Sequence, residues 1–401
     1  MVKAVAVIGA GFGDEGKGLM TDYHAYAIQH ELHEDCVVVR YNGGAQAGHT
    51  VMTPGGQRHI FHHFGSGTFC GAPTHLSRFF ISNPYMFLNE YKELGTDVRI
   101  TVDPDSLITT PWDMAYNQLI ELKRKSYKHG SCGVGINSTV DRCNTKYATT
   151  VRTLLKDNIV EKYRSIRDNY YIPLLESEGI KLLQMPLSMS VVFTAERLLE
   201  KAANEFYKFI DKIECVSDKN LNPQNVVFEG AQGLLLDEDS KYFPNVTRSK
   251  TGLPNILKLC KSFGISDLDI CYVTRCYKTR HGAGHLPFEL KGLMFPGAID
   301  GTNETNTWQG NFRHGLLDLD ELMEAINNDI SNVDDSVKTY SSIAVTCMDQ
   351  VEDNDAVLYV CDNKINLVKD KFEILKKLND EFDTIYYSEG PTRIHVKKEN
   401  I

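Results

Sequence analysis

The residues best equipped for chemistry lie near the amino terminus, where residues 9–18 read GAGFGDEGKG. Gly11, Gly16 and Lys17 have the G-x-x-x-x-G-K spacing of a phosphate loop: glycines let backbone N–H groups turn inward around phosphate oxygens, and the lysine neutralises them. The next residue is usually Ser or Thr, whose hydroxyl holds Mg²⁺, but here it is Gly18. Asp14, inside the loop, is the candidate to hold the metal instead. A carboxylate placed among phosphates repels them unless a cation or a proton transfer accompanies it. The loop therefore predicts a reaction at a nucleotide and not simple nucleotide storage.

These residues need elements to carry them. The apolar run at residues 4–8 predicts a buried parallel strand, residues 20–30 a helix and residues 36–40 a second strand, so the loop sits at the carboxyl end of a parallel α/β unit. A second glycine segment, RYNGGAQAGHTV at residues 40–51, follows that strand and brings Asn42, Gln46 and His49 towards the first loop. His59, His62 and His63 lack a nearby carboxylate or cysteine, which predicts a solvated or dimer-facing loop and not a metal site. Thr110 and Pro111 mark a helix start, with Trp112, Ala115, Tyr116, Leu119 and Leu122 on its apolar face. GSCGVGIN at residues 130–137 is a third small-residue loop. Helices are expected over residues 146–163 and 194–212. Short strands are expected at residues 98–102, 226–228, 269–274, 342–346, 357–361 (an edge strand) and 384–387, and a fourth glycine turn at residues 229–233.

The chain has 401 residues, 42% hydrophobic and 24% charged, as expected of a globular α/β protein. A net charge of −10 argues against nucleic-acid binding, and no apolar run is long enough to span a membrane. The ten cysteines form no C-x-x-C pair, and several lie in apolar runs, which predicts buried thiols in a reducing, cytoplasmic setting. The first strand begins at the amino terminus, so no leader segment is expected. We expect a single domain over residues 1–401 with a helical insertion near residues 105–215. The fold class is α/β, a large mostly parallel central sheet with flanking helices, P-loop NTPase-like.

Five segments, in order, resemble the adenylosuccinate synthetase family of GTP-dependent purine ligases. GFGDEGKG is similar to that family's WGDEGKG, and RYNGGAQAGHTV to its R-x-x-G-G-x-N-A-G-H-T-V. FEGAQGLLLDEDSKYFPNVT, YKTRHGAGHLPFEL and SEGPTR are similar to its later motifs. The resemblance implies phosphorylation of the 6-oxygen of IMP by GTP or ATP with Mg²⁺, then displacement of phosphate by the amine of L-aspartate, in a homodimer. It implies catalytic roles for Asp14, His49 and Lys17, with Asp14 taking the N1 proton and His49 donating to the 6-oxygen or the phosphoryl group. Asp14 and the Gly48 carbonyl would hold the metal. Gly13, Glu15, Gly16, Gly18, Gly48, Thr50, Asp349, Ser388, Gly390 and Pro391 would hold the triphosphate. Asp14, Gln46, Ser131, Cys132, Gln232 and Thr247 would hold the purine nucleotide, with Arg142 or Lys146 acting across the dimer. Thr307, Asn311 and Arg313 would hold the amino acid.

The departures carry information. Only Arg313 remains of the family's arginine cluster for aspartate, and Thr346-Cys347-Met348-Asp349 replaces T-K-x-D, which opens the donor site to ATP. Gln46 stands where the family has Asn. These changes are similar to a phage-type offshoot that acts on GMP or dGMP, whereas retention of Asp14 favours IMP. A catalytically inert nucleotide binder and a plain P-loop NTPase are the competing readings.

Overall fold

A computed structural model describes residues 3–125, 129–298, 310–352 and 355–399. Its centre is a ten-stranded sheet. From one edge to the other the strands run Val396–Glu399, Thr384–Ser388, Lys338–Thr346, Asp267–Arg275, Lys3–Gly9, Asn225–Gly233, Val37–Arg40, Thr74–Leu76, Ile100–Val102 and Glu214–Cys215. All neighbours pair in parallel except the first two, which are antiparallel. A parallel sheet is covered on both faces, which explains why the central strands read as continuous apolar runs. Ala4, Ala6, Ile8, Val226, Phe228 and Ile270 face one core cluster; Val5, Val7, Val227, Cys271 and Val273 face another.

The helices between residues 107 and 214 pack around a third cluster centred on Trp112, Tyr163, Tyr171, Phe206 and Phe209. Burying each such aromatic contributes about 2–3 kcal/mol. Helix Pro111–Arg124 begins as expected: Thr110 and Asp113 form a capping box, which satisfies two backbone donors that a helix start otherwise leaves unpaired. Trp112, Ala115 and Leu119 are buried, but Leu122 is 42% exposed.

Other expectations are corrected. The helix expected over residues 146–163 is broken into Val151–Lys156 and Ile159–Ile166, because the Thr150 and Asn158 side chains each cap a new start. The glycine segment at residues 229–233 is not a turn: the strand continues through it to Gly233, held by pairing with Lys3–Gly9. Residues 357–361 form the middle, not the edge, of a separate three-stranded sheet. The histidine cluster faces inward. Glu90, on helix Pro84–Leu94, accepts from the backbone N–H groups of His62, His63 and Phe64, and its carboxylate is 3.3 Å from His63 Nδ1.

Candidate active site

The candidate residues leave the sheet at the carboxyl ends of its parallel strands, where ligands bind in open α/β folds. Gly9 leads into the phosphate loop, Arg40 into the second glycine segment, Thr346 into the Asp349 turn and Ser388 into Gly390. Gly16, at φ +93°, starts the helix Lys17–Tyr26, so the loop ends on a helix amino terminus, a natural seat for an anion.

The loops are tied to each other. Arg275 Nε and Thr279 Oγ1 donate to the Asp14 carbonyl, and Thr346 Oγ1 donates to the Glu15 carbonyl at 2.9 Å. A Cβ on Gly13 would lie 3.1 Å from Gln232 Cα, and one on Gly18 would lie 2.8 Å from the Thr50 carbonyl. These contacts put the phosphate loop against both the Gln232 segment and the His49–Thr50 segment. The second glycine segment is fixed by Asn42, whose side chain makes two hydrogen bonds to the Ala231 backbone, at 2.7 and 3.0 Å.

His49 is buried, with Nδ1 2.6 Å from Glu229 Oε1. Burial pushes its pKa down to about 4, with Arg40 and Lys17 adding to the effect and Glu229 opposing it. The imidazole is therefore neutral at pH 7, with its Nδ1–H donated to Glu229. For Glu229, burial raises the pKa, but Arg40, His49 and Ser66 outweigh it and hold the carboxyl at about 2. With His49 neutral at pH 7, Arg40, paired in register on the next strand, is the cation that keeps Glu229 ionised. Ser66 donates both its N–H, at 2.9 Å, and its hydroxyl to the same carboxylate. Glu229 and Ser66 were missed by sequence reasoning. Glu229 heads the EGAQG segment, but nothing in the sequence places it beneath His49.

Lys17 is buried and donates to the Gly13 carbonyl. Burial lowers its pKa, opposed by Glu15, Asp14 and Glu229. The Asp14 carboxylate and the Gly48 carbonyl are hard oxygen donors of the kind Mg²⁺ takes, and the Gly18–Thr50 contact brings their two segments together.

Five expected purine-site residues, Gln46, Ser131, Cys132, Gln232 and Thr247, line one cleft. Asn117, Arg280 and His281 join them. Ser131 donates to Asn117 at 3.1 Å, and burial pushes the Cys132 thiol up to about 11, so it stays protonated as a weak donor. Both polar atoms of the Gln46 amide are buried without a hydrogen-bond partner. Arg280 stacks on Phe12 of the phosphate loop, 4.4 Å from the ring centre, and donates to the Asn245, Ala283 and His285 carbonyls, joining three walls of the site.

Other residues lie differently from expectation. Arg142 is not at the surface. Its guanidinium is fully buried, with bonds to Asp113 at 2.9 Å and to Tyr147, Thr149 and Ile108, so all five N–H groups are engaged within the subunit. Helix Ile136–Cys143 turns this residue inward, opposite Asp113. Lys146 is exposed. Arg313 forms a two-pronged ion pair with Glu289, at 2.7 and 2.5 Å, and donates to the Gly282 and Gly284 carbonyls. Asn311 precedes it on the exposed side, and Thr307 lies outside the described residues.

Asp349 is exposed in a single turn, Met348–Gln350. Ser388 is buried, Gly390 packs against His395 and Pro391 is exposed. A lysine from elsewhere joins these two segments. Lys371 donates to the Met348 and Val351 carbonyls, at 2.9 and 3.2 Å, and lies 3.6 Å from Glu389. Although the sequence lacks a lysine within the turn, an ammonium reaches it from 22 positions beyond Asp349.

Comparison with known proteins gives one consistent family. The model of the adenylosuccinate synthetase family matches residues 6–385. The adenylosuccinate synthetase of Prochlorococcus marinus subsp. pastoris is 30% identical over 331 residues, covering 77% of this chain and 69% of that protein. The fold is similar to a fully ligated adenylosuccinate synthetase from Plasmodium falciparum (TM-score 0.75, 19% identity, 99% of both chains). It is also similar to the succinoaminodeoxyadenylate synthetase of cyanophage S-2L, solved with dGMP and with dATP as energy donor (TM-score 0.60, 13% identity, 99% of this chain and 95% of that one). With the phosphate loop, the buried His49–Glu229 pair and the cleft lined by Gln46, Gln232 and Thr247 on one side of the sheet, the chain belongs to the adenylosuccinate synthetase family, ligases that form a C–N bond.

Proposed function

We propose that the protein phosphorylates the 6-oxygen of IMP with a nucleoside triphosphate and joins the activated purine to L-aspartate, giving adenylosuccinate. The observation that carries this reading is the ionised Glu229 behind a neutral, buried His49, beside a phosphate loop that contains Asp14. Storage of a nucleotide needs neither a base nor a charge relay.

Asp14 takes the N1 proton, which raises electron density on the 6-oxygen. Lys17 and the inward N–H groups of Gly16 and Gly18 hold the phosphates, with Gly13, Thr50, Asp349, Ser388, Gly390 and Pro391 along the remaining length of the donor. His49 takes up a proton from solvent at Nε2 as the anionic phosphoryl group comes to face it. Glu229 then stabilises the imidazolium, whose N–H offsets charge on the oxygens in transit. Mg²⁺, held by Asp14 and the Gly48 carbonyl, would supply charge neutralisation at the phosphates. Gln46, Ser131, Cys132, Gln232 and Thr247 hold the purine nucleotide. Arg313 takes an aspartate carboxylate by exchanging it for Glu289, with Asn311 and Thr307 beside it. A homodimer, with Lys146 presented to the partner, fits the exposure of Leu183 and Leu187 (101% and 78%).

A second reading, the same chemistry on GMP or dGMP, is favoured by the unpaired Gln46 amide, whose carbonyl can accept from a 2-amino group. Phosphate release from GTP or ATP tests the proposal: it should require both a purine monophosphate and aspartate. Release that ignores aspartate would leave only a nucleotidase.

A further inference from the structure

Glu15 lies inside the phosphate loop, although a carboxylate there does nothing to bind phosphate. Its Oε1 accepts the Gly11 N–H, one of the donors that such a loop turns inward. Its Oε2 is buried and has no hydrogen-bond partner among the described residues. A Cβ built on Gly9 would fall 2.3 Å from Oε2 and 3.0 Å from Lys17 Nζ, and one on Gly11 would fall 2.4 Å from Oε1. Carboxyl and ammonium thus both crowd against Gly9, within the curl of the loop. The charged groups around Glu15 are Asp14 and Lys17 on the loop, Arg275 on the neighbouring strand, and Lys278, Asp318 and Glu321 lining the small cavity behind it.

We propose that Glu15 is a built-in competitor for the triphosphate, its carboxyl occupying the Gly11 N–H and the neighbourhood of the Lys17 ammonium that a phosphate oxygen requires. Nucleotide entry then demands that this side chain swing out of the loop. The competition weakens binding and lets the loop release its diphosphate product. This role rests on the ligase reading above and reverses the ligand role that sequence resemblance gives Glu15. It also explains the orphaned Oε2. Leaving a buried oxygen unpaired is costly, and the cost is removed when the carboxyl reaches water.

Calorimetric titration of the full chain with Mg-GTP, Mg-ATP and inorganic pyrophosphate at pH 6 tests this, comparing wild type with Glu15→Ala and the isosteric Glu15→Gln. Glu15→Ala should bind all three about tenfold more tightly. Glu15→Gln keeps the side chain's size and a carbonyl acceptor for the Gly11 N–H and should bind as wild type does, so the gain is confined to the variant that vacates the loop; circular dichroism of all three proteins guards against a misfolded alanine variant. Unchanged or weaker binding in a folded Glu15→Ala, or an equal gain in Glu15→Gln, would overturn the proposal and make Glu15 a brace or a ligand. Failure of wild type to bind any triphosphate would instead overturn the ligase reading.

Discussion

At the scale of single residues, the account depends on what burial does to three ionisable groups. His49 is neutral because burial outweighs Glu229, and Glu229 is ionised because Arg40, His49 and Ser66 together outweigh burial. Replacing Glu229 with Gln removes the charge that the imidazolium would need, and kcat should fall on the order of 10²-fold with little change in nucleotide affinity. Steady-state kinetics with each substrate varied will check this. Asp14→Asn should abolish turnover while calorimetry still detects nucleotide binding. Glu15 also makes stability depend on pH. Its folded pKa, about 7, lies above the unfolded value, so the folded state holds a proton that the unfolded state has lost. Stability is then present below about pH 4.5 and declines as pH rises through 7. Glu15→Gln should therefore be more stable than wild type at pH 8, by up to about 3 kcal/mol in urea titration, and nearly equal to it at pH 4.5. Three residues of the proposed chemistry were singled out from the sequence, because Asp14, Lys17 and His49 sit in short glycine segments whose spacing announces them. Glu229 and Glu90 were not. Each acts on residues far away in sequence, and a lone Glu at a strand end or on a helix gives no sign of what it will face.

At the scale of elements, the site is held by contacts between loops that leave different strands. Asn42 fixes the His49 segment to the strand Asn225–Gly233 through two buried hydrogen bonds. Asn42→Ala would leave both Ala231 groups unpaired, and we expect a loss of about 2–3 kcal/mol in denaturant unfolding, with activity falling as the segment loosens. Lys371 ties the Asp349 turn to Glu389, a neighbour of Ser388 and Gly390. Lys371→Ala should raise KM for the triphosphate several-fold and leave KM for the purine monophosphate unchanged; equal effects on both would mean a general structural role. The strands were readable because buried parallel strands are short, β-branched and apolar. Helices such as Leu253–Phe263 and Leu319–Ile330 were passed over, although Leu253, Ile256, Leu259, Cys260 and Phe263 have helical spacing. The glycine segment at residues 229–233 misled because glycine suggests a turn, whereas pairing with the first strand keeps it extended. Arg142 misled for a related reason: the identity of a basic residue does not reveal which way its helix turns it.

At the scale of the whole molecule, a ten-stranded sheet gathers segments from residues 9 to 391 onto one side, and no short stretch of the chain contains the site. Order along the chain made the family legible, since each glycine segment follows a strand. The specificity walls were not, because they depend on distances between loops. Gln46 and the thinned arginine cluster around Arg313 depart from the family pattern at the purine and amino-acid ends, while residues 13–18 and 47–51 keep it. The chemistry should therefore be conserved and any change confined to substrate choice. The most direct test is a substrate matrix read by mass spectrometry: IMP, dIMP, GMP and dGMP, each with aspartate and Mg²⁺, crossed with ATP and GTP. The account predicts a succinyl-amino purine nucleotide, with IMP the preferred acceptor, and equimolar release of phosphate. No such product from any of the four purines, with the protein folded and the nucleotide bound, would contradict it.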